Sequence, residues 1–262
     1  MSGRPEFKAW IDEFPDPGWK LMPLTHVTSA VPARDIIREE TIGLAECKVF
    51  NQPLAYFFYG RPAYRLPDEG TVKLEAACPF CFILKPDLIK SAKSIYAFDT
   101  GAFQRRMYKH VLVEEMNVED FSLEGDVHRP NKMIAKVFST RSAYFDGDIE
   151  SALKPEEGAE PWDFLAKSYL ELITSRGRNE PDDRICSIEV IADEPISLAG
   201  NLLAVIVPHT IWDKKRAPWL EKLSANNVEI RPYTFIPGRH PEYYHALLEI
   251  AVREFFQDTE FL

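Results

Sequence analysis

The run LAYFFYG at 54–60 constrains the fold most, because it consists of apolar and aromatic residues and stops at a Gly-Arg-Pro turn. A short apolar run that is bounded by turn residues predicts a buried β-strand. Comparable runs recur along the chain and predict further strands at 21–29, 78–85, 94–99, 186–193 and 201–208. The chain is therefore expected to build a sheet in which several strands have little contact with water.

Helical patterns are fewer than strand patterns. Apolar residues spaced for one buried face predict helices at 33–41, 162–175 and 240–257, and the pattern also allows a helix over 104–118. Strands interleaved with few helices predict an α+β fold with a mixed or mostly antiparallel sheet. The polar stretch 175–184 is predicted to be a loop, and no stretch resembles a domain linker, so one domain is expected over 1–262.

Composition bounds the function. The net charge of −10 argues against a protein that is held on DNA or RNA by bulk electrostatics, although a local basic groove remains open. The sequence contains no run of about 18 apolar residues, so no membrane-spanning helix is expected. The N-terminal residues mix charges with aromatics and show no apolar signal segment, so we expect a cytoplasmic protein.

The four cysteines do not predict a disulfide scaffold. Cys78 and Cys81 form a CPFC motif, which a redox pair or half of a zinc site would also show. No second motif follows at zinc-finger spacing, and the surrounding segment AACPFCFIL is apolar. We therefore expect both cysteines to be buried structural residues, and no metal site is predicted.

Three polar residues interrupt or end the predicted core strands, namely His26, Arg61 and Glu189. A buried charge without a partner costs several kcal/mol, so each must be paired or lie at a cleft. Each one alone has an ordinary explanation as a core histidine, a solvated turn arginine or a solvent-facing glutamate. The case for a site comes from the three together.

Four segments, taken in order, resemble the motifs of DarT-type nucleic-acid ADP-ribosyltransferases. LTHVTSAVPARDIIREETI is similar to that family's opening motif, and YFFYGRPAY to its strand that leads to an arginine. IYAFDTGAF is similar to its following turn, and SIEVIADEPISLAGNLLAVIV to its late strand with a glutamate. The resemblance covers about 21–208 and implies an ADP-ribosyltransferase-like split mixed sheet. Residues 209–262 have no counterpart in the resemblance and are expected to form a C-terminal helical extension.

The resemblance also implies an NAD-dependent reaction. His26 and Thr28 fall on the opening motif and are expected to bind NAD, with His26 holding a ribose. Arg61 is expected to grip the diphosphate and is assigned both to cofactor binding and, with Glu189, to the catalytic residues. Glu189 is expected to supply the catalytic carboxylate, which stabilises the positive charge that develops on the ribose.

Aromatic residues beside Arg61 are candidate stacking surfaces for nicotinamide or a target base. Tyr59 and Tyr64 are assigned to cofactor binding and Tyr56 is a further candidate, while core packing is the alternative for each. For Arg61, the alternative is a structural ion pair with Asp99 or Glu189.

The resemblance further implies an acceptor and a biological setting. The expected acceptor is a base in RNA or single-stranded DNA, and the expected role is a toxin or phage-defence effector held in check by an antitoxin protein. Two alternatives stay open: a protein-modifying ADP-ribosyltransferase, and a non-catalytic binding or sensor module that keeps the fold.

Overall fold

The computed structural model describes residues 3–63, 70–175, 184–213 and 215–262. Within these ranges the strands are β1 (Leu24–Ser29), β2 (Thr41–Ile42), β3 (Ala45–Cys47), β4 (Gln52–Tyr59), β5 (Pro79–Leu84), β6 (Ser94–Tyr96), β7 (Glu189–Ala192), β8 (Ile196–Ser197), β9 (Leu202–Pro208) and β10 (Glu229–Tyr233). The α-helices are α1 (Glu6–Asp12), α2 (Ala30–Glu39), α3 (Thr100–Gln104), α4 (Arg129–Phe138), α5 (Arg141–Asp146), α6 (Pro155–Gly158), α7 (Phe164–Thr174), α8 (Pro218–Ala225) and α9 (Pro241–Asp258).

A mixed sheet organises these elements in the order β10-β9-β5-β1-β4-β7-β6, with β3 also paired to β4. Its strand pairs are antiparallel except for β9 and β10, which run parallel. The short strands β2 and β8 form a separate antiparallel pair. The protein is therefore a single mixed domain of sheet and flanking helices, as the strand-rich sequence predicted.

The core follows from the composition of the central strands. Every residue of β5 is buried, as a strand covered on both faces requires. Helices α4, α7 and α9 turn their apolar faces to the same core, which includes Phe138, Leu170 and Phe256. A smaller buried cluster lies apart from it and contains Cys47, Leu54, Tyr96 and Ile191.

Strand β1 pairs unequally with its two neighbours. It pairs with β5 along its whole length, from Leu24↔Leu84 to Ser29↔Pro79. In the described residues it pairs with β4 at Leu24↔Tyr59 and Thr25↔Phe58 and no further. Beyond that point the backbones part, and we call the gap between residues 26–29 of β1 and 55–57 of β4 the β1–β4 opening.

The predicted strands are all present, with ends that shift by up to three residues, and so are the helices predicted at 33–41, 162–175 and 240–257. The helix considered over 104–118 is wrong beyond its first residue. Helix α3 ends at Gln104, and Arg106 has a φ of 58°, a left-handed conformation that stops an α-helix. Turns follow as far as Asn117. The predicted polar loop falls mainly on 176–183, outside the described residues.

The C-terminal segment is not a purely helical addition, which corrects the prediction for 209–262. Its strand β10 pairs with β9 from Glu229↔Ala204 to Tyr233↔Pro208 and so extends the central sheet. Alternating polar residues and Pro232 hide this strand in the sequence, because only one of its five residues is buried. The segment therefore belongs to the main core.

Two further predictions concern membrane-spanning helices and the cysteines. None of their helices combines the length and the apolar character needed to cross a bilayer. The four cysteines are buried and unbridged, and the burial expected for Cys78 and Cys81 is thus confirmed. Burial raises the pKa of the Cys78 thiol to about 12 and that of Cys81 still further, so neither is a thiolate at neutral pH.

Candidate functional site

His26 bridges the β1–β4 opening. Its Nδ1 donates a hydrogen bond to the backbone carbonyl of Tyr56 at 2.8 Å, at the point where the backbones stop pairing. The ring packs beside Phe57 and Phe82, with centroid distances of 5.6 and 6.2 Å. A side chain thus replaces the missing backbone pairing and holds the two strands at a fixed separation.

The contacts of His26 also fix its chemistry. A carbonyl oxygen accepts only, so Nδ1 carries the proton, and burial lowers the pKa of His26 so that the ring is neutral. Nε2 is then the acceptor end of the ring. A neutral histidine with this tautomer is suited to accept a hydrogen bond from a hydroxyl group.

Thr28 lies two residues further along β1. Alternation along the strand puts its side chain on the same face as His26, and it is half-buried at the rim of the β1–β4 opening. Its position is compatible with a second hydrogen-bonding group beside His26.

Glu189 begins β7 and lies opposite Phe58 of β4 and Tyr96 of β6. Only 2% of its surface is exposed, so its carboxyl group is enclosed by protein. The backbone N–H of Thr100 donates to Glu189 Oε2 at 3.1 Å. This strand position is rigid because β7 has a paired neighbour on each side.

A second carboxylate and a guanidinium lie beside Glu189. Arg184 Nη1 contacts Asp99 Oδ2 at 2.9 Å, and both side chains are almost fully buried. The other oxygen of Asp99 accepts the N–H of Ala102 at 2.7 Å and so caps α3. We refer to Glu189, Asp99 and Arg184 as the Glu189 cluster.

The cluster perturbs the titration of Glu189. Burial and, after it, the nearby charge of Asp99 raise the pKa of Glu189 to about 8, while the hydrogen bonds from Thr100 and the charge of Arg184 partly oppose that rise. A strongly shifted carboxyl next to a specific charged partner is typical of functional sites, although structural networks also show it.

Tyr56 connects the two parts of the site. Its backbone carbonyl accepts the bond from His26, and its half-buried side chain lies on the face of β4 that carries the Glu189 partner Phe58. Burial, then a hydrogen bond with Cys47 and the charge of Glu189, raise the pKa of Tyr56 far above its usual range. The tyrosine is therefore neutral at all physiological pH values.

Arg61 follows β4 and turns toward the C-terminal helix. Its Nε lies 3.7 Å from Glu249 Oε1 of α9. A Cβ on Gly147 would come within 2.7 Å of Arg61 Nη1, and Gly147 has a φ of +62°, so only glycine fits there without strain. The ion-pair alternative considered for Arg61 thus finds Glu249, while Asp99 pairs with Arg184.

Tyr59 is fully buried at the paired end of β4. Its hydroxyl donates to Asn131 Oδ1 at 2.9 Å and accepts the N–H of Met22 at 2.9 Å. Its carbonyl accepts the hydroxyl of Tyr144 at 2.7 Å. These contacts give Tyr59 a structural role. Tyr64, the other tyrosine assigned to cofactor binding, lies outside the described residues.

The structure does not bring the three predicted polar residues together on one face of the sheet. His26 and Glu189 lie on β1 and β7, the two strands that flank β4. Strand alternation assigns them opposite faces, but the His26 ring reaches sideways to Tyr56, and Glu189 does not face solvent. Arg61 lies at the paired end of β4 and faces α9.

A separate cavity of about 790 Å³ lies beyond α3 and is lined by residues 103–104, 106, 108–114 and 116–117. Its wall includes Phe103, Arg106 and Lys109. Met107, which lies in the chain between the lining residues Arg106 and Tyr108, places its sulfur 3.7 Å from Arg184 Nη2. Among the residues that the structure describes, no group of three or more possible ligands is arranged to hold a metal ion.

Sequence reasoning missed Arg184 as part of the site and considered Asp99 only as an ion-pair partner of Arg61. Asp99 was visible as an acid before the DTGA turn, and a helix N-cap accounts for it equally well. Arg184 ends a polar stretch, which in the sequence alone indicates a solvent-exposed charge. Only the fold brings it to Asp99, from 85 residues away.

Comparisons with protein-family models, with curated proteins and with solved structures found no match for this chain.

Proposed function

We propose that this protein is an NAD-dependent ADP-ribosyltransferase whose donor site is the β1–β4 opening and whose catalytic carboxylate is Glu189. The observation that carries the proposal is the buried Glu189 carboxyl, raised in pKa, on the strand next to the one that His26 bridges. The motif resemblance described above supports the choice of NAD as donor.

His26 is proposed to orient the donor. With Nδ1 committed to the carbonyl of Tyr56, its Nε2 accepts a hydrogen bond from a ribose hydroxyl. Thr28 offers a hydroxyl on the same strand face and is proposed to assist. Both residues belong to β1, whose full pairing with β5 holds it in place.

Glu189 is proposed to act on the bond between nicotinamide and ribose. As that bond breaks, positive charge develops on the ribose, and a carboxylate that is already in place stabilises that charge at no cost in reorganisation. The same carboxylate can take the proton from the incoming acceptor as a general base. Enclosure of Glu189 by protein strengthens both effects, because water does not screen the charge.

Arg61 is proposed to bind the diphosphate, as the resemblance implies. It lies three residues after Phe58, which pairs with Glu189. The partner Glu249 is 3.7 Å away and partly exposed, which makes the ion pair a weak one that an anionic ligand can replace. Of the tyrosines assigned to NAD, Tyr59 is enclosed by its own hydrogen bonds, so we do not extend the proposal to it.

The proposed acceptor is a base of RNA or single-stranded DNA. The cavity beyond α3 is bordered by a basic run, RRMYKH at 105–110, in a chain whose net charge is −10. Phe103 in its wall offers an aromatic surface, and such surfaces beside cations are typical of single-strand binding. A base must be unpaired to present its reactive atom to an enclosed carboxylate.

The resemblance extends the proposal to biology. We propose a toxin or phage-defence effector that acts in the cytoplasm and is held in check by an antitoxin protein. Expression from an inducible promoter tests this. Growth arrest by the wild type and normal growth with Glu189→Gln are expected, and equal growth of both strains would contradict the toxin role.

A non-catalytic binding module is the second candidate, and one observation favours it. Arg61 and Tyr59 make contacts inside the protein, which residues that serve stability alone would also make. A protein that modifies other proteins is the third candidate, since the positive charge of the run 105–110 suits an acidic peptide as well as a phosphate.

One assay separates these candidates. The protein is incubated with NAD labelled in its adenosine part and with RNA, single-stranded DNA or cell lysate, while nicotinamide release is followed in parallel. We expect release of nicotinamide and label in a nucleic-acid fraction. If the label is confined to a protein band, the nucleic-acid acceptor is refuted and the transferase activity still stands. If NAD binds and no nicotinamide is released, the non-catalytic binding module is the candidate that remains.

A further inference from the structure

The Glu189 cluster holds more acid than base. Two carboxyl groups, Glu189 and Asp99, lie in the same enclosed space with one guanidinium, Arg184. The side chain of Tyr56 also faces this space and is neutral. With both acids ionised, the cluster would bury one negative charge in excess, which is costly in surroundings that exclude water.

Arg184 is committed to one of the two acids. Its Nη1 lies 2.9 Å from Asp99 Oδ2, and its Nη2 lies 3.7 Å from the sulfur of Met107. Asp99 is itself fixed as the cap of α3 through the N–H of Ala102. Within the described part of the chain, the cation beside Glu189 is thus paired with Asp99, and Glu189 receives the N–H of Thr100.

We propose that Asp99 and Arg184 are positioning residues that keep Glu189 protonated in the free protein, and that the Glu189 carboxylate forms when a cationic ligand group enters beside it. This inference rests on the proposed function, in which the cation is the nicotinamide ring of NAD. The O–H bond of Glu189 breaks, its electron pair stays on the carboxylate, and the proton passes to solvent. The entering cation supplies the positive charge that the cluster lacks.

The proposal makes NAD binding release a proton. The pKa of Glu189 near 8 means that the group is mostly protonated at pH 7, so close to one proton is released per NAD bound. Above about pH 8 the free protein is already ionised there, and the release declines. NADH has the same diphosphate and riboses but an uncharged ring, so its binding is expected to release no proton.

Calorimetric titration measures this directly. NAD and NADH are titrated at pH 7 in two buffers of different ionisation enthalpy, and the difference in heat gives the number of protons released. The expected result is close to one proton for NAD and none for NADH. Equal release with the two ligands, or no release with NAD, would overturn the proposal.

Two variants of the positioning pair are expected to act in opposite directions. Asp99→Asn keeps an oxygen to cap α3 but frees Arg184 for Glu189, so proton release at pH 7 falls and the pH profile of nicotinamide release moves to lower pH. Arg184→Gln leaves the two acids without their cation and moves the profile to higher pH. Damage to the fold alone would move both variants the same way, and such a result would refute the positioning role.

Matched controls complete the test. Asp146→Asn removes an acid from a comparable ion pair with Arg253, in which Nε lies 2.8 Å from Oδ1 on the surface, and is expected to leave proton release unchanged. Glu189→Gln is expected to bind NAD and release no proton. A variant that retained proton release without Glu189 would place the proton elsewhere and overturn the proposal.

Infrared spectroscopy of the free protein tests the first half of the proposal without any ligand. The wild type at pH 7 is expected to show a protonated-carboxyl band that both Glu189→Gln and Asp99→Asn lack, and its absence from the wild type would overturn that half. Failure of NAD to bind would overturn the coupling. Proton-coupled binding without nicotinamide release would refute the proposed reaction and leave this inference standing.

Discussion

Tyr59 and Glu189 are buried polar residues on neighbouring strands, and their hydrogen-bond and charge partners differ. The Tyr59 hydroxyl both donates and accepts, with Asn131 and Met22 as partners. Glu189 accepts an N–H from Thr100 and lies beside another carboxylate. A buried group with its hydrogen bonds complete adds stability, whereas a buried acid beside a like charge costs stability. The difference indicates that Tyr59 serves the fold and that Glu189 is retained for another reason.

The same contrast separates the two ends of the β1–β4 pair. At the paired end, backbone groups of the two segments form hydrogen bonds with each other. For example, the N–H of Gly60 donates to the carbonyl of Pro23 at 2.8 Å. At the β1–β4 opening, the bridge between the strands is a histidine side chain. An open end can be remodelled by a ligand without breaking the sheet, because β1 remains paired with β5.

The first prediction tests whether Glu189 acts in catalysis or, like Tyr59, serves the fold. Glu189→Gln keeps the volume and removes the charge, so nicotinamide release at saturating NAD is expected to fall roughly 100-fold. NAD should still bind, but more weakly than to the wild type, because the carboxylate that pairs with its cationic ring is lost. Single-turnover assays and NAD titrations measure the two quantities. Glu194→Gln, an exposed residue in the turn after β7, is the control. Near-normal release by Glu189→Gln would make Glu189 structural.

The second prediction concerns stability against pH. The fold raises the pKa of Glu189 from 4.5 to about 8, so the folded state binds this proton more tightly than the unfolded state. The stabilisation is complete below about pH 4.5 and is lost as the pH rises through 8. Relative to Glu189→Gln, the free energy of unfolding of the wild type should therefore fall over this range, by on the order of a few kcal/mol.

Urea unfolding of both proteins at several pH values between 5 and 9 measures the difference. Groups other than Glu189 titrate alike in the two proteins and cancel in the comparison. A difference that stays constant with pH would mean that Glu189 is ionised throughout, and the contrast with Tyr59 would then lose its electrostatic basis.

The third prediction tests the other half of the comparison. Tyr59→Phe leaves the N–H of Met22 and the carbonyl of Asn131 without a partner in the core, and we expect the free energy of unfolding to fall by about 1–3 kcal/mol. NAD affinity should not change. Tyr243→Phe, at an exposed tyrosine of α9, is the control. Weaker NAD binding by a folded Tyr59→Phe protein would restore Tyr59 to the cofactor site.

The sequence was informative about the sheet for a simple reason. Strands buried on both faces, such as β5, need continuous apolar runs, and these are visible without any partner. Strand β10 escaped because it lies at the sheet edge, where exposed positions carry Glu229, Arg231 and Pro232. The β1–β4 opening could not be predicted from the sequence either, since strand pairing depends on residues far apart in the chain.

The site was predicted in the same uneven way. Glu189 and His26 were noticeable because a polar residue in an apolar strand is unexpected. Asp99 and Arg184 were not, because acids before turns and arginines after polar loops are common on protein surfaces. The property that distinguishes Glu189, its shared enclosure with Asp99, depends on contacts between residues far apart in the chain.

The last prediction concerns Arg61, which belongs to the paired end but is proposed to bind ligand. Its contact with Glu249 is long at 3.7 Å, and the Glu249 side chain is 28% exposed, so Glu249→Gln should change the free energy of unfolding by less than about 1 kcal/mol. If Arg61 grips the diphosphate, Arg61→Ala weakens NAD binding roughly 10-fold, because a charge-assisted contact is lost. Glu249→Gln removes the competing carboxylate, and NAD affinity then stays equal or rises. Titration of NAD against both variants decides the matter, with ADP-ribose as a second ligand that shares the diphosphate. Unchanged affinity in Arg61→Ala would assign Arg61 to the fold alongside Tyr59, and the ligand site would then be confined to the β1–β4 opening and the Glu189 cluster.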